Sequence, residues 1–516
     1  PLSDRDRVTA EEKREYKEKL IQSVYQAFPK FFGYKLGHDK VEHKLDAKSD
    51  LYIYFYFHGL SLLNEKGSFC FITSTSWLDV GYGEDLKQFF LDHFKIHAII
   101  WYDVRALEKA LVGTCITILE KEDESKEERE NNLVKFVRIK RPMPVQEIAR
   151  IISSAKEGFE NENIGITIKT QGELLPKDKW GVFLKAPNIY FKILSDTRII
   201  LMSELAQVKY GIKTGFNDFF ILNRDKLKIW SIENEYLQPV VVSHKEIKSA
   251  TLLTKDIQNY LLMVHKSRKE LEGTNVLEYI NYGEQMEVST KRGTRGVSMK
   301  VKGIQNLRSV SSRRFWYDLG KRSLAPIIFP YLIWDSHTFV YNKAGALVTD
   351  NFHEIFPNSE TQSRILAFLG ILNSSITALM LELKGRSYGG GVLKVQAYEL
   401  ETLPLLNPLK LSAAERRVIE EAFSKVCEAQ RKSDEELEQE ARKELDDAVF
   451  DVLGLTEDER RQVYEGLESL RRMRLQRKEV EVLVETVEPW KPAKKLRKER
   501  AKTSEPSKRL DTWMKD

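Results

Sequence analysis

With 516 residues, 42% hydrophobic and 10% aromatic, the chain has ordinary globular composition and length for roughly three domains. A net charge of +5 is too small to argue for a nucleic-acid partner in bulk, so the distribution of charge has to decide. Cys70, Cys115 and Cys427 form no CxxC pair, which argues against a zinc cluster or disulfide framework, and no metal site is expected. Nothing approaches the ~18-residue apolar run of a membrane span, and the charged start is no secretory signal; a cytoplasmic protein with no membrane contact is expected. The start also lacks a Met, and the chain reads as a fragment.

Residues 10–32 carry Tyr16, Leu20, Val24, Phe28 and Phe31 at helical spacing. A second helix pattern covers Leu51 to Leu63 and stops in Asn64-Glu65-Lys66-Gly67, a turn with a capping glycine. A β-prone run over Ser68–Thr73, a helix over Leu86–Phe94 and strands over Ile96–Trp101 and Cys115–Leu119 follow. This alternation predicts α/β layering on a largely parallel sheet. The charged run 121–132 reads as a solvated loop and Leu133–Ile139 as an edge strand. A short helix and connecting β segments are expected over 141–179, before a second domain over 180–408 that closes on a linker at Leu403–Pro408. Helices with charged faces should fill 409–480, with a capping box at Thr456–Glu459, ahead of a disordered tail at 481–516. Nine basic residues stand against two acids at 491–510 of that tail.

Two stretches of the second domain draw attention for their chemistry. Val208 to Phe220 holds Gly211 and Gly215, which allow tight turns, with Lys213, Thr214 and Asn217 able to bond phosphate or base edges; alone it reads as a hairpin with a lysine. Lys291 to Arg322 has ten Lys or Arg against one acid, Asp318, together with Phe315, Trp316 and Tyr317. Its Gly- and Ser-containing part, 293–312, reads as mobile. A basic loop of this kind suits phosphate capture through Arg313, Arg314, Lys321 and Arg322, where a solvated surface loop is the bland reading. Pro326–His337 reads as core strand ending in Trp334 and His337, two candidate recognition residues.

The wording of the first block is more specific than its periodicity. Asp50-Leu51-Tyr52-x-x-Phe55, Leu62-Leu63-x-x-x-Gly67, Phe71-Ile72-Thr73-x-x-x-Trp77-Leu78 and Leu86-x-x-Phe89-Phe90 resemble the gamma-class amino-methyltransferases of restriction–modification systems, which include the TaqI-type adenine-N6 enzymes. That resemblance implies the C-terminal half of a Rossmann-like methyltransferase sheet over 1–140, with Phe55 on the wall of an S-adenosylmethionine site; read alone, Phe55 is a core aromatic. The family's Asn-Pro-Pro-aromatic tetrapeptide and cofactor glycine turn are not in this sequence, and Val80-Gly81-Tyr82-Gly83-Glu84 reads as a loop. The chain alone is therefore expected to be inactive, with no catalytic residue of its own.

Val208–Phe220 and Leu237-Gln-Pro-Val-Val-Val-Ser243-His-Lys245-Glu-Ile-Lys248 resemble the entry to target-recognition domains of such enzymes. Asn373-Ser374-Ser375 and Lys384-Gly-Arg386-Ser-Tyr388-Gly389-Gly-Gly391-Val-Leu-Lys394 resemble the recognition helix and glycine turn of TaqI-like specificity domains. In that turn Arg386, Tyr388 and Lys394 are candidate DNA contacts. Leu445-Asp-Asp-x-Val449-Phe to Glu459 resembles a helical motif that packs behind these domains. The implied architecture is α/β followed by an α+β target-recognition domain and a helical C-terminal region. The implied function is site-specific N6-adenine methylation of double-stranded DNA with S-adenosylmethionine, the partner besides DNA being the absent catalytic half or a cognate restriction nuclease. The competing reading is a non-catalytic specificity subunit or an inactive remnant.

Overall fold

The computed structural model describes residues 10–35, 41–46, 49–102, 113–292, 297–388 and 391–486. Helix α1 (Ala10–Ala27) ends where Pro29 begins a separate short turn, so the periodic stretch to Phe32 is two pieces. Helix α2 (Leu51–Ser61) buries Ile53, Tyr54, Tyr56, Phe57 and Leu60, and the positive φ of the turn beyond it falls on Lys66, not on Gly67. Strand β1 (Ser68–Ser74) follows, then helix α3 (Glu84–His93) and strands β2 (Phe94–Tyr102), β3 (Thr114–Lys121) and β4 (Leu133–Ile139). Helix α4 (Val145–Ser154), β5 (Phe159–Glu160) and β6 (Ile164–Thr170) complete one sheet of order β1-β3-β2-β4-β6-β5.

Several expectations change here. The fold is mixed α/β, but in this sheet only β2 and β4 pair in parallel. The helix between β1 and β2 does make those two strands run the same way; β3 is then inserted antiparallel between them. Leu133–Ile139 is interior, between β2 and β6, which explains why Val134, Phe136, Val137 and Ile139 are all buried. The short helix and β segments expected over 141–179 form as α4, β5 and β6, and the two strands join this sheet. The charged run is no free loop either, since Lys66 and Lys95 hold the buried Glu122 carboxylate and Arg129 donates to the Glu122 carbonyl.

The second lobe opens with β7 (Ile199–Leu201), β8 (Ala206–Tyr210), β9 (Ile221–Asn223), β10 (Leu237–Val241), β11 (Thr251–Leu252) and β12 (Asn259–Leu262). Part of the basic stretch lies in an antiparallel hairpin, β13 (Glu287–Arg292) and β14 (Val297–Lys302); of the segment 293–312 expected to be mobile, 297–302 is strand and 293–296 lies outside the described residues. Beyond it lie β15 (Ile327–Pro330), β16 (Leu332–Ile333), β17 (Val340–Asn342), β18 (Leu347–Val348), β19 (Phe352–Pro357), β20 (Arg386–Tyr388), β21 (Val392–Lys394) and β22 (Pro404–Leu406). These build sheets of order β18-β10-β12-β9, β11-β17-β15-β19-β8 and β16-β21-β20. The expected linker is a buried strand, because Leu403, Leu405 and Leu406 are in the core and β22 pairs with β7.

Helices α5 (Ile365–Leu372) and α6 (Ser375–Lys384) share one apolar cluster with the C-terminal helices α7 (Ala413–Lys432), α8 (Glu435–Leu453) and α9 (Glu457–Thr486). The box at Thr456–Glu459 forms, with Thr456 N donating to Glu459 at 3.1 Å. The buried Asp446 carboxylate caps α6, accepting from Ser375 N and Oγ at 2.6 Å each and from Tyr464 at 3.1 Å. No single helix among the described residues is long and apolar enough to cross a membrane. Helix α9 takes in 481–486; the rest of the expected basic tail, 487–516, and Arg295 lie outside the described residues, as do the side chains of Lys291, Arg292 and Tyr388.

Candidate nucleic-acid interface

Strand β8 delivers Tyr210 to a loop that crosses its neighbours at close range. A Cβ on Gly211 would meet the Thr349 carbonyl oxygen at 2.1 Å, so no side chain fits there. Gly215 sits at φ +84°, a region that glycine enters without strain. The loop runs into a short helix at Asn217–Phe220 and is no hairpin. Within it Thr214 is buried; its hydroxyl donates to Asn217 Oδ1 and accepts from Phe216 N at 3.2 Å. Thr214 thus shapes the loop, whereas Lys213 and Asn217 are exposed.

The basic stretch meets this loop. Arg313 donates to the carbonyls of Thr214 (2.7 Å), Trp316 (3.2 Å) and Lys213 (3.4 Å), and its guanidinium lies 5.5 Å from the Phe220 ring centroid. Ser309 Oγ donates to the Gly215 carbonyl at 2.9 Å. Two motifs about a hundred residues apart therefore form one structure. Arg313 spends its donors inside it, while Arg314, Lys321 and Arg322 stay exposed, with Arg314 5.2 Å over Phe315. Behind them Glu354 of β19 is buried, and burial pushes its carboxyl up to about 7 against the opposing pull of Arg322 and Lys209.

The third group assembles on the small sheet. Strand β21 pairs with β16 and β20, setting Lys394 opposite both Leu332 and Arg386. Trp334 leaves the end of β16 with 45% of its surface exposed. Lys394 Nζ lies 4.9 Å over the Tyr331 ring, and Arg386 donates to Glu399 at 3.0 Å beside the Tyr398 ring. Tyr210, 44% exposed, donates to Gln396 Oε1 at 2.8 Å and joins this group to the Gly211 loop. Sequence reasoning missed Tyr210, Tyr331, Gln396 and Tyr398. The only local signal was Tyr210 preceding the glycine loop, since its bond to Gln396 spans 186 positions.

His337 requires a correction. Its ring is in the core with Nε2 donating to the Leu372 carbonyl at 3.0 Å, and burial, reinforced by Arg442, pushes its pKa down to about 3. A neutral, enclosed imidazole is unsuited to contacting a duplex.

On the first sheet, Tyr56 bonds Thr73 (3.0 Å) and Thr117 (2.9 Å), fixing α2 over β1 and β3. Tyr52 contacts Tyr82 at 2.9 Å, and Tyr82 donates to Asp50 at 3.2 Å. Phe55 is 62% exposed, so it is no core aromatic. It offers one wall to a methyl donor and no enclosure; these residues do not by themselves fit S-adenosylmethionine, and no transfer step follows from them. Among the described residues no cluster of His, Cys, Asp or Glu is arranged to hold a metal.

A family model for the C-terminal domain of Type II methyltransferase M.Eco57I matches residues 179–450, more than half the chain, and one for the Eco57I restriction-modification methylase matches 24–106. The chain belongs to this Type II methyltransferase family. It is 24% identical over 371 residues to Type II methyltransferase M.AccI of Acinetobacter calcoaceticus, covering 69% of this chain and 62% of that protein. M.XamI of Xanthomonas campestris pv. amaranthicola is 23% identical over 374 residues, with coverages of 70% and 60%. The chain thus spans about three-fifths of the length of these curated relatives. Among solved structures it is similar to the type IIG restriction endonuclease BpuSI (15% identity, 86% of this chain and 52% of that one, TM-score 0.37). It is also similar to the Type IIL restriction-modification enzyme MmeI in complex with DNA (13% identity, 88% and 55%, TM-score 0.43).

Proposed function

We propose that this chain is the target-recognition lobe and rear sheet of a gamma-class, S-adenosylmethionine-dependent N6-adenine methyltransferase acting on duplex DNA. The observation that carries the reading is the convergence of three separate sequence motifs on one surface, joined by Arg313 and by the Tyr210–Gln396 bond. That surface mixes exposed cations at Lys213, Arg314, Lys321 and Arg322 with aromatic faces at Tyr210, Trp334 and Tyr398. Cations neutralise phosphate and release counterions; aromatic and polar groups beside them read or stack on bases. The recognition lobe grips the duplex by its backbone and holds it while the target adenine leaves the stack. Methyl transfer then needs residues beyond those of this chain.

The first sheet supports a partner of that kind. Among the described residues β1 pairs only with β3, and Ser68–Ser74 contains no charge or proline to guard its free edge. Cys70 and Ile72 on this strand are exposed, as are Phe55 and Leu62 nearby. The absent half of a Rossmann-like sheet is the partner we assign to this edge. The alternative is a recognition subunit without catalysis, and what favours it is Phe55, exposed with no enclosure for a methyl donor.

Gel shifts with a labelled randomised 40-base-pair duplex test the proposal. Salt-sensitive binding to duplex in preference to single-stranded RNA is expected, and indifference to salt refutes it. Tritium transfer after co-expression with a segment carrying Asn-Pro-Pro-aromatic separates the enzyme from the subunit.

A further inference from the structure

The β16–β21 pairing ends at Ile333 and Leu393, and just beyond it Trp334 and Gly391 each present a backbone carbonyl to the same interior point. Arg474 of α9 fills that point. Its Nη1 donates to the Trp334 carbonyl at 2.8 Å and also to the carbonyl of Gly391. Its Nε and Nη2 fork onto Glu382 of α6 at 3.0 and 2.8 Å. The Arg474 side chain is only 3% exposed and Glu382 only 7%. A planar guanidinium can satisfy a carboxylate and two carbonyls at once; an ammonium, with its three donors on one nitrogen, cannot match that geometry.

The helix carrying Arg474 is itself held from the other side. One position earlier, Met473 packs against the cores of both lobes. Arg138 of β4 donates to Ser469 Oγ at 3.0 Å and reaches Met473 sulfur at 3.8 Å. This part of α9 lies beyond the matched family segment, which ends at residue 450.

We propose that Arg474 is a positioning residue for DNA discrimination, holding Trp334 and Gly391 in place on the recognition face where the β16–β21 pairing ends. The inference rests on the DNA-binding reading above. Supporting groups of this type set how well a site separates partners, because misplacement of the contacting residues costs selectivity before it costs non-specific attraction.

The test enriches a 40-base-pair duplex from a randomised pool with the unaltered chain, then measures affinity for it and for a scrambled duplex of equal composition. Arg474→Met should keep helical content and bind the scrambled duplex within about threefold of the unaltered chain, since the phosphate-facing cations are untouched. Its ratio of enriched to scrambled affinity should fall by roughly tenfold, about the cost of one lost base contact. Arg474→Lys, which keeps the charge beside Glu382, should restore part of the ratio. A folded Arg474→Met variant with an unchanged ratio overturns the inference. So does collapse of both variants to insoluble chains, which assigns Arg474 to stability alone. If the unaltered chain enriches no duplex, the DNA reading itself fails, an outcome recognisable before any variant is made.

Discussion

Replacing Lys321 and Arg322 together with glutamine should halve the salt dependence of duplex binding. Among the exposed cations beside the Gly211 loop and the basic turn, Lys213, Arg314, Lys321 and Arg322 are the ones assigned to phosphates. If each neutralises one phosphate, the slope of log affinity against log salt is about −3.6, and tripling the salt weakens binding roughly 50-fold. With two removed, the slope becomes about −1.8 and the same change costs about sevenfold. Arg313 is left out of the count because its guanidinium is committed to three loop carbonyls. Fluorescence anisotropy of a labelled duplex at several potassium chloride concentrations reads the slope. A double variant that binds more weakly at every salt concentration with an unchanged slope refutes the assignment of these side chains to phosphates.

Other outcomes follow from buried groups. Asp446→Ala strips three donors of their shared acceptor and should lower stability by about 2–4 kcal/mol, seen as an earlier urea midpoint; an unmoved midpoint contradicts the capping role. Glu354 has its carboxyl raised from 4.5 to about 7, so its contribution is full below the unfolded value and is lost as pH climbs towards 7. The loss is on the order of 3 kcal/mol, and Glu354→Gln should flatten the stability profile between those limits; equal profiles for the two proteins reject it. Gly211→Ala forces a Cβ against the Thr349 carbonyl and should cost duplex affinity together with about 1–3 kcal/mol of stability. Calorimetry that leaves its melting temperature unchanged removes the close approach from the account.

The sequence revealed local structure better than assembly. The helix around Phe55, the strands at Phe94 and Leu133 and the cap at Thr456 follow from periodicity and end residues, and each forms within a few positions of its expected place. Strand order is not local. Nothing in Leu133–Ile139 says that Ile164–Thr170 will pair with its far side, and so an interior strand looked like an edge. The charged run at 121–132 hid a buried Glu122, because its lysine partners come from Lys66 and Lys95. At the candidate interface the glycines and cations stood out, but His337 gave no sign of its enclosure, and Tyr210 becomes part of the surface only through Gln396. Arg474 was one basic residue among many on a helix until its two carbonyl partners were seen.

The central claim is that the Gly211–Asn217 loop, the Arg313–Arg322 turn and the β20–β21 turn form one duplex-binding face. Amide hydrogen exchange of the whole chain, with and without the enriched duplex, tests it most directly. The account predicts slowed exchange in all three segments and in the backbone around Trp334. Slowed exchange confined to other parts of the chain, with these segments unaffected, contradicts it.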